Sequence, residues 1–378
     1  MTQQPVKRRR RWLRYFFVFL LAVALLPSAV GLTRALWLCR VWGNVDETES
    51  TIPDETMRSV TSQIEEYARP ESQTYLTIPE WYIVYSADEY GAFIQNNSSS
   101  DFPYFKAVGQ YWQSYYEVCE QVRGKYPYNG SAQFVLGFIG VSFTAENMLK
   151  GLYEFTIGRV FDWFAAQPTE EEQFAADVAV EFGAFLHNTP WYLFPFDEKL
   201  KELWTETSFW GPGVLRKWER KIALTVEYGV KALYGGLTRA GSQAAYGGED
   251  TAKIYAVTEN ATDEMASDDF EIIQPIDDTR QLTIITRFEV FSTIAPDLMK
   301  RGLRFVEIAG NDEIVVTALG KQNANYDFEY GEYLFDLPIL TQPGETRIVL
   351  KTRVDELHLF LAELEEKTDI RFEHIYDY

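Results

Sequence analysis

Histidine and cysteine are nearly missing: 378 residues hold three histidines and two cysteines. That scarcity removes most common routes to chemistry. No histidine pair stands at metal-binding spacing, so a metal centre is not expected. His187 follows the aliphatic end of a helical stretch, His358 sits between leucines, and His374 lies on the apolar side of a strand-like segment, so each reads as a core or cap histidine. No Gly-x-Ser-x-Gly elbow is present, and neither cysteine has a histidine nearby in sequence. No glycine run ends in Gly-Lys-Ser or Gly-Lys-Thr, and no Gly-x-Gly-x-x-Gly follows a strand, so no nucleotide or other cofactor is expected. Two cysteines exclude a fold built on disulfides. Cys39 lies by an apolar segment and Cys119 in a helical one, so no bridge between them is expected and packing must hold the core. No internal repeat stands out.

Positive charge is scarce beyond the amino terminus. Eight of the 35 basic residues fall within residues 1–42, where there is no acid, so the remainder carries 27 basic against 56 acidic residues. A body this acidic argues against nucleic acid or anionic lipid as a general partner, because both demand a cationic surface. Solubility is the simpler meaning of the charge. No segment has the alternating Asp/Asn loop ending in Glu that binds calcium.

What is present is a long apolar segment. Tyr15 to Leu32 carries no charge and follows Lys7, Arg8, Arg9, Arg10, Arg11 and Arg14. With its flanks it reaches the roughly 20 residues a helix needs to cross a bilayer. Basic flanks stay in the cytoplasm, so the expected arrangement is a single-pass protein of the inner (plasma) membrane, in contact with lipid through residues 15–32 and with most of its chain outside the cytoplasm. A cleaved signal peptide is the competing reading, since Ala29-Val30-Gly31 offers small residues for a cut. Against it, the chain stays apolar through Leu32, Ala35, Leu36, Trp37 and Leu38.

Composition divides the rest in two. Seven tryptophans fall between Trp81 and Trp218 and none follows, while Ala240 to Glu249 is small and polar. The expected units are 1–43 (basic tail and transmembrane helix), 44–248 (mainly helical) and 249–378 (α+β). Helix starts are predicted from the capping pairs Ser86/Glu89 and Thr169/Glu172 and from Asp101 before Pro103, giving helices near 87–95, 103–123, 133–165, 170–187 and 213–240. The apolar stretch Phe134 to Phe143 reads as a buried core helix, with amphipathic insertion into a bilayer surface as the alternative. On it, Glu146, Lys150 and Glu154 are spaced to pair along one solvated face.

Beyond residue 249 the period shortens. Gln281–Arg287, Leu303–Ala309, Glu313–Leu319, Thr346–Lys351 and Ile370–Tyr376 read as strands, Val290–Arg301 as a helix, and Val354, Leu357, Leu361 and Leu364 as a helical face capped by Thr352 with Asp355. The expected fold class is α+β multidomain, with a transmembrane helix, a helical middle domain and a carboxy-terminal ferredoxin-like sandwich carrying an insertion near 320–345.

One constellation hints at ligand binding. Glu80 stands among Trp81, Tyr82 and Tyr85, Asp101 precedes Phe102-Pro103-Tyr104, and Trp191-Tyr192 adds rings. Stacking rings with paired carboxylates are what carbohydrate sites use, so Glu80 and Asp101 are the candidate acid and base of a glycan hydrolase, with the five rings as binding surface. A tryptophan-rich helical core explains the same rings by packing alone. The leading expectation is therefore binding of an envelope protein or glycan, without catalysis.

Overall fold

The computed structural model describes residues 6–40, 67–165, 167–246, 252–324 and 326–377. The proposed boundary near Trp42 and the glycines at 247–248 lie outside them.

The apolar segment forms helix α1 (Val6–Cys39). Its buried positions Ala24, Ser28, Gly31, Ala35 and Leu38 recur at four and three, so one narrow stripe of mostly small residues faces the protein. The other sides stay bare, with Val30 68% and Trp37 65% exposed. Behind α1 pack α2 (Ser72–Leu76), α3 (Ile78–Ile94), α4 (Tyr104–Val122) and α5 (Gly130–Tyr153). Glycine makes the close approach: a Cβ on Gly31 would stand 2.3 Å from the Trp112 ring, and one on Gly137 would stand 2.9 Å from Leu32.

This packing brings Cys39 beside Cys119, and the two form a disulfide with Cα atoms 4.5 Å apart. The expectation of no bridge is thereby corrected. Sequence separation hid it, because Cys39 ends one helix and Cys119 lies near the end of another that runs alongside it.

A π-turn (Glu154–Gly158) links α5 to the short α6 (Arg159–Asp162). Then come α7 (Glu170–Leu186), α8 (Phe196–Glu206) and α9 (Val214–Tyr246). The Thr169/Glu172 capping box forms in both directions. The Ser86/Glu89 pair does not cap: α3 begins nine residues earlier than expected, where Pro79 suits the first turn and Glu80 faces the helix dipole. The helix over Phe134 to Phe143 is not buried all round, since Phe134 is 74% and Phe138 47% exposed. Its charged ladder pairs across to α9 instead of along itself, with Lys150 Nζ 2.8 Å from Glu227 Oε1 and Glu146 Oε1 2.8 Å from Lys231 Nζ.

The remainder holds two four-stranded antiparallel sheets. The first contains β1 (Lys253–Glu259), β2 (Phe270–Pro275), β3 (Arg280–Thr286) and β4 (Arg304–Ile308), with α10 (Glu289–Lys300) between the last two. The second contains β5 (Glu313–Lys321), β6 (Glu332–Pro338), β7 (Glu345–Arg353) and β8 (Arg371–Tyr376), with α11 (Leu357–Glu366) before β8. Strand orders are β2-β3-β1-β4 and β6-β7-β5-β8. Each unit thus runs strand-strand-strand-helix-strand with the same neighbours, which is a repeat. The ferredoxin-like order is not confirmed; each unit contains a single strand-helix-strand crossover whose two strands flank a third. The expected insertion near 320–345 holds β6.

The repeat leaves traces in sequence. Thr286-Arg287 matches Thr352-Arg353, and Leu303-Arg304-Phe305 matches Ile370-Arg371-Phe372. Between them Phe291, Ala295 and Leu298 occupy the buried positions that Leu357, Leu361 and Leu364 occupy in the second copy. Thr352 does not cap α11; its hydroxyl donates to the Tyr330 carbonyl, and Glu356 stands at the cap. Both units share one core, to which β5 gives Ile314, Val316 and Ala318. The alternate residue Val315 faces the helices, packing with Tyr75, Trp81 and Tyr111.

The disulfide closes a loop of 80 residues, so chain entropy assigns it about 4 kcal/mol. Cys119→Ala is expected to lower the denaturation midpoint by a matching amount, and reductant should destabilise the native protein but not the variant. Unfolding curves with and without reductant check this.

Candidate functional site

A cluster of polar and aromatic side chains lies where α3 and the end of α7 meet the α+β unit. His187, just beyond α7, places Nε2 2.7 Å from Asp88 Oδ2 and Nδ1 3.2 Å from Glu289 Oε2. An imidazole bonded by carboxylates at both nitrogens is held as the cation. Those hydrogen bonds, Asp88 first, push its pKa up to about 10. The His187 bond, with help from His374, brings Glu289 down to about 2.

His374 on β8 is fully buried, with its ring centroid 3.6 Å from that of Trp81. Its Nδ1 lies 2.8 Å from Ser292 Oγ and 3.6 Å from Glu289 Oε2. Serine, histidine and glutamate meet here, yet not as a hydrolytic triad. Such a relay needs serine and acid on different ring nitrogens, whereas both approach Nδ1 and Ser292 is only 4% exposed. Among the described residues, His374 Nε2 has no hydrogen-bond partner.

Charges ring this centre. Arg347 on β7 makes a two-pronged contact with Glu373 at 2.6 and 2.9 Å, approaches Glu89 at 3.5 Å, and lies 3.7 Å above the Tyr85 ring. Asp377 accepts the Phe288 N–H at 2.8 Å and stands 3.4 Å from Arg287 Nε. Burial pushes its carboxyl up. Phe288 has φ of 65°, a conformation costly for a residue with a bulky side chain. Burial likewise pushes Glu80 up to about 7, opposed by Arg287.

The sequence candidates scatter over this frame. Trp81, Tyr82 and Tyr85 are core residues, each 5% exposed or less. Tyr82 donates to the Ala107 carbonyl, and the Tyr85 hydroxyl reaches those of Thr317 and Tyr376. Trp191 stacks on Tyr234 of α9 at 5.0 Å, and the Tyr192 carbonyl accepts from Arg239. Glu80 is in the first turn of α3, while Asp101 lies beyond its other end, exposed and 2.9 Å from Arg159. Phe102, next to Asp101, packs on Tyr90, ten residues after Glu80 and so about 15 Å along the helix. The structure brings Glu80 and Trp81 to the joint and leaves Asp101, Trp191 and Tyr192 elsewhere. Sequence reading missed His187 and His374 as joint residues, because their partners Asp88, Glu289 and Ser292 are about 80 to 100 positions away.

Among the described residues, no group of three or more His, Cys, Asp or Glu side chains is placed to hold a metal ion. An open groove of about 270 Å³ lies apart from the joint, between α1 and α4, lined by Arg34, Gly109, Gln113, Tyr116, Glu117 and Glu120. Compared with protein families, with curated proteins and with solved structures, the chain has no match in any of the three.

The joint carries its own pH signature. The raised His187 pKa contributes stability in full below its unfolded value near 6.5, and the contribution is lost as pH rises toward 10. The depressed Glu289 pKa adds stability present above about 4.3 and lost as pH falls toward 2. His187→Gln should therefore cost about 2 kcal/mol at pH 6 and far less at pH 10. Denaturant unfolding of both proteins at the two pH values is the check; an equal loss at both would remove the charged bridge.

Proposed function

We propose that this chain is a membrane-anchored extracytoplasmic protein whose body binds a component of the cell envelope. One observation carries the location: the disulfide sits at the end of α1 remote from the arginine cluster. Disulfides persist in oxidising compartments, while basic flanks remain in the cytoplasm. Two unrelated rules therefore give α1 the same polarity, with the cationic end inside and the Cys39 end outside. For a bacterial cell this is the inner membrane, with α1 as the anchor. Binding is favoured over catalysis because the polar constellation at the joint is spent on joining two parts of the protein, with its serine and both histidines largely covered.

A second reading, a membrane-anchored hydrolase acting on envelope glycan through paired carboxylates, is favoured by the Glu80 carboxyl, which burial holds near 7 in the range of a general acid. Against it stands the distance to Asp101, since paired carboxylates work about 5 to 9.5 Å apart.

Protease added to intact spheroplasts is expected to digest the body and leave cytosolic markers whole; survival of the body alongside those markers overturns the location. Glu80→Gln is expected to leave crosslinking to an envelope component unchanged. If Glu80→Gln instead abolishes a glycan-cleaving activity of the purified protein, the hydrolase reading replaces binding.

A further inference from the structure

The anchor helix does not stand clear of the body as a peg. Cys39 Sγ accepts from Gln133 Nε2 at 3.1 Å, and Leu32 meets Gly137, so α5 runs antiparallel along the apolar part of α1. In turn α9 runs antiparallel to α5, as the contacts Ser142–Tyr234, Glu146–Lys231, Lys150–Glu227 and Glu154–Arg220 descend in order. The three helices form one layer with α5 in the middle.

We infer that the outer side of this layer is a single lipid-contacting surface, so that α5 and α9 share with α1 its contact with the acyl chains of the bilayer. The inference rests on the membrane reading of α1. On α9, Ile222, Val226, Val230, Leu233 and Leu237 are 57 to 69% exposed and recur at four, four, three and four, which makes one stripe. On α5 and its extension, Phe134, Phe138, Phe155 and Val160 are 46 to 74% exposed. The charges on these helices turn the other way: from Arg216 to Lys231 every charged side chain of α9 is buried or half-buried. On α5, Lys150 and Glu154 are likewise turned inward, and Glu146, paired with Lys231, keeps 47% of its side chain exposed.

Three features select lipid as the occupant. The stripes continue the bare side of α1, which contacts α5 directly. The span Gly130–Asp162 is, like Val18–Cys39, long and apolar enough to cross a bilayer, and only 33% of its most apolar window is buried. Exposed tryptophans stand at the ends of the layer, with Trp37 at 65%, Trp163 at 80% and Trp210 at 76%, the positions an interfacial belt uses. The surface has a sharp edge: across the groove beside Arg34, α4 presents Lys106, Gln113 and Glu120 to solvent. One side alone is fitted to hydrocarbon.

The test uses the full-length protein in vesicles of phosphatidylethanolamine and phosphatidylglycerol containing a trace of phospholipid with a diazirine at the end of one acyl chain. After irradiation, peptide mass spectrometry locates the label. Label on peptides from 130–162 and from 215–237, at a density comparable to that on 18–37, is the expected result. Label confined to 18–37 overturns the shared surface while leaving the anchor in place. Label on none of the three overturns the anchor reading as well.

Discussion

Close approach of α1 to α4 and α5 is the constraint from which the rest of the helical part follows. It depends on small residues, Gly31 and Ala35 on one helix and Gly137 and Gly140 on another, because larger side chains would meet Trp112, Leu32 or Tyr111. Once the helices are this close, Trp112 reaches Thr144 with its indole N–H, and the Tyr111 and Tyr115 hydroxyls reach the carbonyls of Leu136 and Gln133. Each large ring is satisfied at its polar tip while its body fills the core. The same approach sets Cys39 against Cys119.

Charge is sorted by depth. Between α5, α7 and α9 the buried cations Arg216, Lys217, Arg220 and Lys221 are met by Glu154, Glu171, Glu172 and Glu219. Such pairs gain little over apolar packing, but losing one member leaves the other uncompensated at about 3 to 5 kcal/mol. They fix which helix faces which more than they add stability. At the joint, His187 performs the same service between two parts of the chain that also meet through aromatic packing and the Arg347–Glu89 contact.

Local signals were legible in sequence and distant ones were not. The Thr169/Glu172 box located a helix start to the residue, and the apolar runs at 281–287 and 313–319 became strands because both of their faces are covered. The edge strands β2 and β6 escaped notice since their exposed positions dilute the pattern, and the central strand β1 escaped as well although it is largely buried. The repeat escaped because its copies share a burial rhythm and a few residues around the crossover helices, while Glu307 in one copy stands where His374 stands in the other. Of the candidate site, Glu80 and Trp81 were found from their local company. His187, His374 and the disulfide needed contacts between distant residues, which a single sequence does not display.

Because Cys39 and Cys119 are joined, α1 and the rest of the protein are connected twice, once through the peptide chain and once through sulfur. A protease cutting anywhere between residues 40 and 66 would sever the first connection and release nothing. Separating the two pieces would require two keys, a nick and a reductant, so a clipped molecule reveals its break only on a reducing gel.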